Sequence, residues 1–364
     1  IDKLVVHRAA LTPKEDGRWA KLARFVMRRP LPVVLASVVL LGILAAPLKN
    51  ITFAQVDSRV MPASDKVAIA SQFVTDNFPG QAANPIEIII PNGVIKEGEV
   101  NSFISEVSKV SGVISVGKPE VHGQDIRVSA IHSMGTRTPE VEKVIHTIRD
   151  LTKPSGTLVG GVAADYTDSQ DGIVRVLPFA LAWIALFVLL FLFVFTGSII
   201  LPIKAVILNV LSLGATLGAL NWVFASGHLK WLVGDFIATN SIDTSMVILI
   251  AVVAFGLSMD YELFLLSRIR EEHEAGKKNI DAVAVGLQRS ARIITAAAVL
   301  LAIVFAVFVT SGVSSIKQMG FGVAFAIILD ATIVRALLVP ALMRLFGELN
   351  WWAPKFLKRF TVSH

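Results

Sequence analysis

Six long apolar tracts constrain the fold of this chain more than any other feature of its sequence. A helix that crosses a bilayer needs roughly 20 mostly apolar residues, and each tract approaches or exceeds that length. The tracts are residues 30–48, 176–203, 205–227, 244–266, 293–316 and 318–343. With 54% hydrophobic and only 17% charged residues, the chain is too apolar for an ordinary soluble enzyme. The sequence therefore predicts a membrane bundle of six helices.

The distribution of basic residues predicts which ends of these helices face the cytoplasm. Eight lysines and arginines precede the first tract, and others crowd the segment between the fourth and fifth tracts and follow the sixth. Because cytoplasmic flanks carry an excess of lysine and arginine, we expect both termini and all these clusters on that side. Lys204, beside a predicted tight turn at Gly197, is expected there too. No recognition motif accompanies the net charge of +6, so no nucleic-acid partner is expected.

Residues 49–174 have the mixed composition of a folded domain and are expected outside the cytoplasm. Helical periodicity occurs at 64–78, 96–110 and 138–151, and β-branched or strand-like runs occur at 85–91, 112–117, 125–132 and 156–161. Ser64 is the expected cap of the first helix. A helix–strand–strand–helix–strand order behind a leading strand is typical of a ferredoxin-like unit. The predicted fold class is a membrane α-helical bundle of six transmembrane helices with an extracytoplasmic α/β ferredoxin-like domain inserted after the first helix.

The predicted domain boundaries follow from these tracts. They are a cytoplasmic basic segment at 1–29, a transmembrane helix at 30–48, the α/β domain at 49–174, a five-helix transmembrane domain at 175–346 with a cytoplasmic loop at 267–292, and a cytoplasmic tail at 347–364. Within the loop, Ile280, Val283, Ala284 and Leu287 recur at helical spacing. We expect them to form a short amphipathic helix that lies along the membrane surface.

Several classes of chemistry lack their motifs in this chain. There is no cysteine, so disulfides and thiolate metal sites are excluded. No phosphate-binding G-x-x-x-x-G-K-[ST], H-E-x-x-H or G-x-S-x-G pattern occurs. His273, between Glu272 and Glu274, could ligate a metal, but a solvated charged loop is the favoured interpretation. We therefore expect neither an enzyme nor a bound cofactor.

The charged residues inside the apolar tracts are the candidate functional residues. Asp260 lies eight residues before Arg268, which places it about 12 Å inside the bilayer if Arg268 marks the interface. A carboxylate buried there is costly and is typical of ion or proton paths, although a structural hydrogen bond between helices is the alternative. The neighbouring Tyr261 can donate a hydrogen bond to a carboxylate. Glu262 lies about 200° further round the helix, so it does not share a face with Asp260.

A second candidate pair lies in the last tract. Asp330 is about halfway along it, and Arg335 follows five residues later. In an α-helix that spacing separates the two side chains by about 140°, so we expect no direct pair within the helix and a partner for Asp330 on another helix. A structural role and a proton-relay role remain equally open for this pair.

The chain resembles the MMPL family (mycobacterial membrane protein large) of the resistance-nodulation-division (RND) superfamily over nearly its whole length. The resemblance is strongest in "FGLSMDYELFLLSRIREEH", "RIITAAAVLLAIVFA" and "LDATIVRALLVPALMRLFGELNWWAP". It implies export of lipids or other hydrophobic compounds across the plasma membrane, driven by protons as the coupling ion. It also implies that the α/β domain is a porter domain that receives the cargo. The Asp-Tyr proton-relay pair of the family falls on Asp260 and Tyr261.

The chain departs from that family in length. Family members usually carry two such halves in one chain, and the Asp-Tyr pair of one half faces that of the other. This chain resembles the second half alone, and its first residue is Ile rather than Met, which favours a fragment or cleaved product. The expected partners are therefore the membrane, a lipid or hydrophobic substrate and the complementary N-terminal half, and a homo-oligomer remains open.

Three other interpretations compete with the transporter. An intramembrane aspartyl protease would use Asp260 and Asp330, but the Gly-x-Gly-Asp pattern of such enzymes is missing from "GLSMD". An RND-like accessory of protein secretion shares the half architecture. A membrane scaffold or sensor that transports nothing would require Asp260 to be dispensable.

Overall fold

The computed structural model describes residues 17–55, 58–62, 64–78 and 80–354. Much of the predicted basic segment and the end of the predicted tail lie outside the described residues. Among those described, six helices are long and apolar enough to cross a membrane, which confirms the membrane helical bundle.

The helices are, in chain order, α1 (Arg18–Arg28), α2 (Pro30–Ala45), α3 (Lys66–Asn77), α4 (Glu97–Val107), α5 (Pro139–Asp150), α6 (Val162–Thr196), α7 (Ile200–Leu220), α8 (Lys230–Val233), α9 (Thr244–Glu274), α10 (Asn279–Phe308), α11 (Ser314–Leu329) and α12 (Val339–Phe346). A 3₁₀ turn at Ala46–Asn50 extends α2, and a π-helical turn at Asn221–Ala225 extends α7. A longer π-helix, Asp330–Leu338, joins α11 to α12 without a break. The six spans are therefore α2, α6, α7, α9, α10 and the composite helix from α11 to α12.

The tight turn predicted at Gly197 is confirmed. Gly197 ends α6 with φ 68°, a left-handed conformation that glycine adopts without steric cost, and α7 begins at Ile200. A close contact between helices occurs at the small-residue segment "GATLG", residues 214–218 of α7. A side chain at Gly218 would place its Cβ 2.2 Å from the carbonyl oxygen of Leu44, so the backbones of α2 and α7 touch there.

The predicted loop at 267–292 is wrong, because only residues 275–278 lie outside the helices. The short helix expected inside it is the first part of α10, and it does not lie on a surface. Val283, Ala284 and Leu287 are buried in the main core cluster of the bundle. Gly286 packs so closely on α9 that an added Cβ would lie 2.7 Å from the side chain of Ile269.

Polar contacts tie together the end of the bundle opposite the α/β domain. Lys204 takes part in these contacts, since its Nζ donates to Oδ1 of the fully buried Asn350. Ser198 Oγ donates to the carbonyl oxygen of Asn350 at 2.5 Å. Glu272 is likewise buried, in ion pairs with Lys277 and Arg289, so the solvated charged loop expected there is wrong at this position.

The α/β domain contains strands β2 (Ile86–Ile90), β3 (Val113–Val116), β4 (Glu120–His122), β5 (Asp125–His132) and β6 (Leu158–Gly160); β1 (Phe53–Ala54) and β7 (Ile242–Asp243) form a separate parallel pair. The main sheet has the order β3-β5-β2-β6, β4 also pairs with β5, and all its pairings are antiparallel. One core cluster joins alternate residues of β2, such as Ile88, with the buried faces of α4 and α5, including Phe103 and Ile148. The cap of α3 is Asp65 rather than Ser64, because the Asp65 carboxylate accepts the Val67 N–H at 2.8 Å.

Candidate intramembrane charge site

Asp330 and Arg335 form a direct ion pair inside the bundle. The Nε atom of Arg335 donates to Oδ2 of Asp330 at 2.6 Å, and the residues are 3% and 6% exposed. The expectation that they do not pair is wrong because the helix is π-helical from Asp330 to Leu338. In a π-helix the backbone hydrogen bonds join residues five apart, so Asp330 and Arg335 lie one above the other.

Ser258, on α9, connects this pair to a second helix. Its Oγ donates to Oδ1 of Asp330 at 2.9 Å. The Nη2 atom of Arg335 donates to the carbonyl oxygen of Ser258 and lies 3.4 Å from its Oγ. The prediction that Asp330 has a partner on another helix is therefore confirmed. The sequence interpretation missed Ser258, and its place four residues before Glu262 on one helical face was the available signal.

Tyr261 also contacts the pair, through its ring. The guanidinium carbon of Arg335 lies 5.2 Å from the centre of the Tyr261 ring, within the range of a cation–π interaction. Asp260 behaves differently, since it lies on the exposed surface of the described bundle and does not contact the buried pair. The reason is the helical period: Asp260 lies about 200° from Ser258, so Asp260 faces outward when Ser258 faces Asp330.

The buried carboxylate on α9 is Glu262, which shares a face with Ser258. It is 8% exposed, and Nδ2 of Asn209 on α7 donates to its Oε2 at 3.3 Å. Asn209 also lines a cavity of about 20 Å³ with Ser258 and Asp330, and two further polar residues of α7, Ser212 and Thr216, complete its polar wall. A cavity of this size holds about one water molecule. A polar region therefore extends from Glu262 to the Asp330–Arg335 pair.

A metal site has no support in the described part of the chain, where no three His, Asp or Glu residues are grouped suitably. His273 instead stacks on the ring of Trp351, with the centroids 4.3 Å apart.

Comparison with known proteins identifies the relatives of this chain. The MMPL family profile matches residues 126–361. A membrane protein of Streptomyces coelicolor is 36% identical over 96% of this chain and 49% of its own length. The trehalose monomycolate exporter MmpL3 of Mycobacterium tuberculosis is 32% identical over 95% of this chain and 38% of its own length. The mycolic acid-containing lipids exporter MmpL11 of Mycolicibacterium smegmatis is 33% identical over 94% of this chain and 37% of its own length.

The chain thus spans half or less of the length of these curated relatives. The identity extends over nearly the whole chain, and the family profile covers both the last part of the α/β domain and the five helices that follow it. This multi-pass membrane protein therefore belongs to the MMPL family.

Proposed function

We propose that this chain is one half of a proton-driven exporter of lipids or other hydrophobic compounds. The names of two relatives, which describe exporters of trehalose monomycolate and of mycolic acid-containing lipids, support the class of cargo. The buried pair of Asp330 and Arg335 supports the coupling ion. Ionisable residues inside membrane helices are costly and commonly mark the paths of ions or protons.

The ion pair offers a direct means of coupling. While Asp330 is ionised, its charge compensates the guanidinium of Arg335, and both are held to α9 through Ser258. A proton that binds to a carboxylate oxygen of Asp330 removes the negative charge and leaves the guanidinium buried without a counter-charge. An uncompensated buried charge is strongly unfavourable, so protonation favours a different packing of α9 against the last span.

Asp260 and Tyr261 belong to the same proposal as the family relay pair. The exposure of Asp260 suits a residue that faces a complementary half, and the chain covers half or less of its relatives. Tyr261 contacts Arg335, so it is placed to join the outward-facing Asp260 to the buried pair. We propose that the relay is complete only when the complementary half is present.

The α/β domain is the proposed porter domain on the outer side of the membrane. From β2 onward and without the short strand β4, its chain order is strand–helix–strand–strand–helix–strand, which supports a ferredoxin-like unit. We propose that it receives cargo delivered from the membrane.

Proteoliposomes that contain the whole protein, with both halves, test this proposal. With an imposed pH gradient and trehalose monomycolate as the probe, Asp330→Asn and Asp260→Asn should each abolish gradient-driven movement, because Asn keeps the shape and loses the titration. Tyr261→Phe should slow the movement less. Asp150→Asn, at an exposed carboxylate at the end of α5, is the matched control and should transport normally. Transport at the unmutated rate by folded Asp330→Asn and Asp260→Asn would contradict proton coupling through these residues.

A further inference from the structure

The helix α1 is firmly docked on the bundle by one face. Ala20 and Ala23 are fully buried, and Met27 is nearly so, in the main core cluster. The backbone N–H groups of Trp19 and Ala20 both donate to Oε1 of Gln288, on α10, at 3.1 Å. These contacts satisfy two of the donors that are otherwise free at a helix N-terminus. Because α1 is fixed in this way, its opposite face has a defined orientation relative to the bundle.

The opposite face carries a stripe of cations around one aromatic ring. Arg18, Lys21 and Arg28 are exposed and fall three and seven residues apart, on one side of the helix. Phe25 lies between them with 66% of its surface exposed, and the exposed Arg29 follows the helix. We call this surface, formed by Arg18, Lys21, Phe25, Arg28 and Arg29, the basic stripe.

The charges of the basic stripe are not balanced within the described part of the chain. None of its four cationic side chains forms an ion pair with a described carboxylate. Arg24, which lies off the stripe, does have such a partner, because its guanidinium is 3.9 Å from the carboxylate of Asp281 on α10. The cation of α1 that faces the protein is therefore paired. The cations that face away need another source of negative charge.

The position of the stripe indicates that source. Arg29 is followed at once by Pro30, the first residue of the span α2, and Leu31 and Leu35 are exposed on that span. The apolar surface that faces lipid therefore starts next to the stripe, which lies at the depth of the headgroups. Cations and an aromatic ring are the side chains favoured at that depth.

We propose that the basic stripe is a binding surface for anionic phospholipid headgroups, with Phe25 inserted among the upper parts of the acyl chains. Phosphate groups supply the counter-charges that the described part of the chain does not supply. An exposed Phe at the centre of a cationic surface favours a lipid over an acidic protein, because the ring gains an apolar environment at the same time. The binding is independent of cargo and of proton coupling.

Lipid titration of the purified whole protein tests the charge requirement. Native mass spectrometry in detergent would measure binding of dioleoylphosphatidylglycerol, with dioleoylphosphatidylcholine as the uncharged comparison. Each cation near an anionic surface is worth about fivefold in affinity, so Arg18→Gln/Lys21→Gln/Arg28→Gln should weaken phosphatidylglycerol binding about a hundredfold and leave phosphatidylcholine binding unchanged. The matched control is Lys66→Gln/Lys118→Gln/Lys143→Gln, which removes three exposed cations from the α/β domain. Unchanged binding by the first variant, or an equal loss in the control, would overturn the proposal.

A spin label separates lipid from protein as the occupant. The chain has no cysteine, so Phe25→Cys provides a unique attachment site in this half. In bilayers of the whole protein, a nitroxide there should be more accessible to membrane-dissolved oxygen than one at Lys118→Cys, an exposed position in the α/β domain. A nitroxide at residue 25 that is shielded from both oxygen and a water-soluble nickel reagent would show that protein, such as the complementary half, covers the stripe. That result would reject lipid binding there.

Discussion

Two carboxylate–arginine pairs of similar geometry occupy very different surroundings in this protein. In the bundle, Arg335 and Asp330 are 2.6 Å apart, and their side chains are 3% and 8% exposed. In the α/β domain, Arg127 and Glu87 are 2.8 Å apart on neighbouring strands, with 45% and 26% exposed. Removing water makes a charge much more costly to leave alone. We therefore expect only the first pair to act as a switch, since only there does the loss of one charge force a rearrangement.

The largest expected effect is the loss of one partner of the buried pair. Arg335→Met leaves Asp330 buried without a counter-charge and should lower the free energy of unfolding by about 3–5 kcal/mol. Arg268→Met is the matched control and should have little effect, because it removes an arginine on α9 whose side chain is 42% exposed and paired with Glu271. Unfolding in mixed micelles would measure both. The double variant Arg335→Met/Asp330→Asn should recover part of the loss, and a double variant no more stable than Arg335→Met would contradict this account.

A smaller effect is expected from the hydrogen bond that links the pair to α9. Ser258→Ala removes the Oγ donor of Asp330 and keeps the charges, so it should cost about 1.5–3 kcal/mol, the range for hydrogen bonds to charged groups. Ser267→Ala on the same helix is the control, because the Ser267 hydroxyl forms no hydrogen bond with a described residue. The same unfolding assay applies. Equal stability of the two variants would show that Ser258 does not hold Asp330.

The exposed pair of Glu87 and Arg127 should contribute less to stability than the buried pair, and its contribution should depend on pH. The hydrogen bond from Arg127 lowers the pKa of Glu87 below its ordinary 4.5, although partial burial opposes the shift. A lowered pKa means that the stabilisation is complete above pH 4.5 and is lost as the pH falls through the lowered pKa. At neutral pH, Glu87→Gln should change the opening equilibrium of strand β2 by about fivefold at most. Hydrogen exchange at the Ile88 amide would measure this equilibrium. If the variant and the unmutated protein still exchange at different rates well below the lowered pKa of Glu87, the pair is not the source of the stabilisation.

The smallest expected effect on stability is that of the salt concentration. Raising the ionic strength from about 0.1 M to 1 M shortens the Debye length from about 10 Å to 3 Å, so it should weaken the Glu87–Arg127 contribution and leave the buried pair unaffected. The test compares the destabilisation caused by Glu87→Gln and by Arg335→Met at both salt concentrations. An Arg335→Met effect that shrinks in salt as much as the Glu87→Gln effect would show that water reaches the buried pair.

Much of the fold could be predicted because it follows from local periodicity. The strand at Ile86–Ile90 and the helix at Pro139–Asp150 lie within the predicted ranges, since alternation and helical spacing are visible along the chain. The prediction of a loop at 267–292 was wrong because burial there depends on contacts that are not local. Its charged residues suggested solvent, but Glu272 is buried by partners supplied by the tertiary structure.

The candidate site was predicted only in part. Tyr261, Asp330 and Arg335 were each named as candidates, and both Tyr261 and Asp330 contact Arg335. The angle of about 140° between Asp330 and Arg335 assumes an α-helix. The π-helix that aligns the two residues has no signature in the pattern of apolar residues. Asn209 was missed because its partner, Glu262, lies on a different helix.

What the sequence by itself determined is the number of membrane spans, the insertion of an α/β domain after the first of them and the presence of charged residues within the last and fourth spans. These properties depend on length, periodicity and composition, which neighbouring residues report. The tertiary structure decided which of those charges are buried and which residues they bind. Ser258, Asp330 and Arg335 meet because α9 packs against a π-helix, and Asp260 is exposed because it lies on the other side of α9. Burial and pairing depend on contacts between helices that are distant in the chain, so no local pattern encodes them.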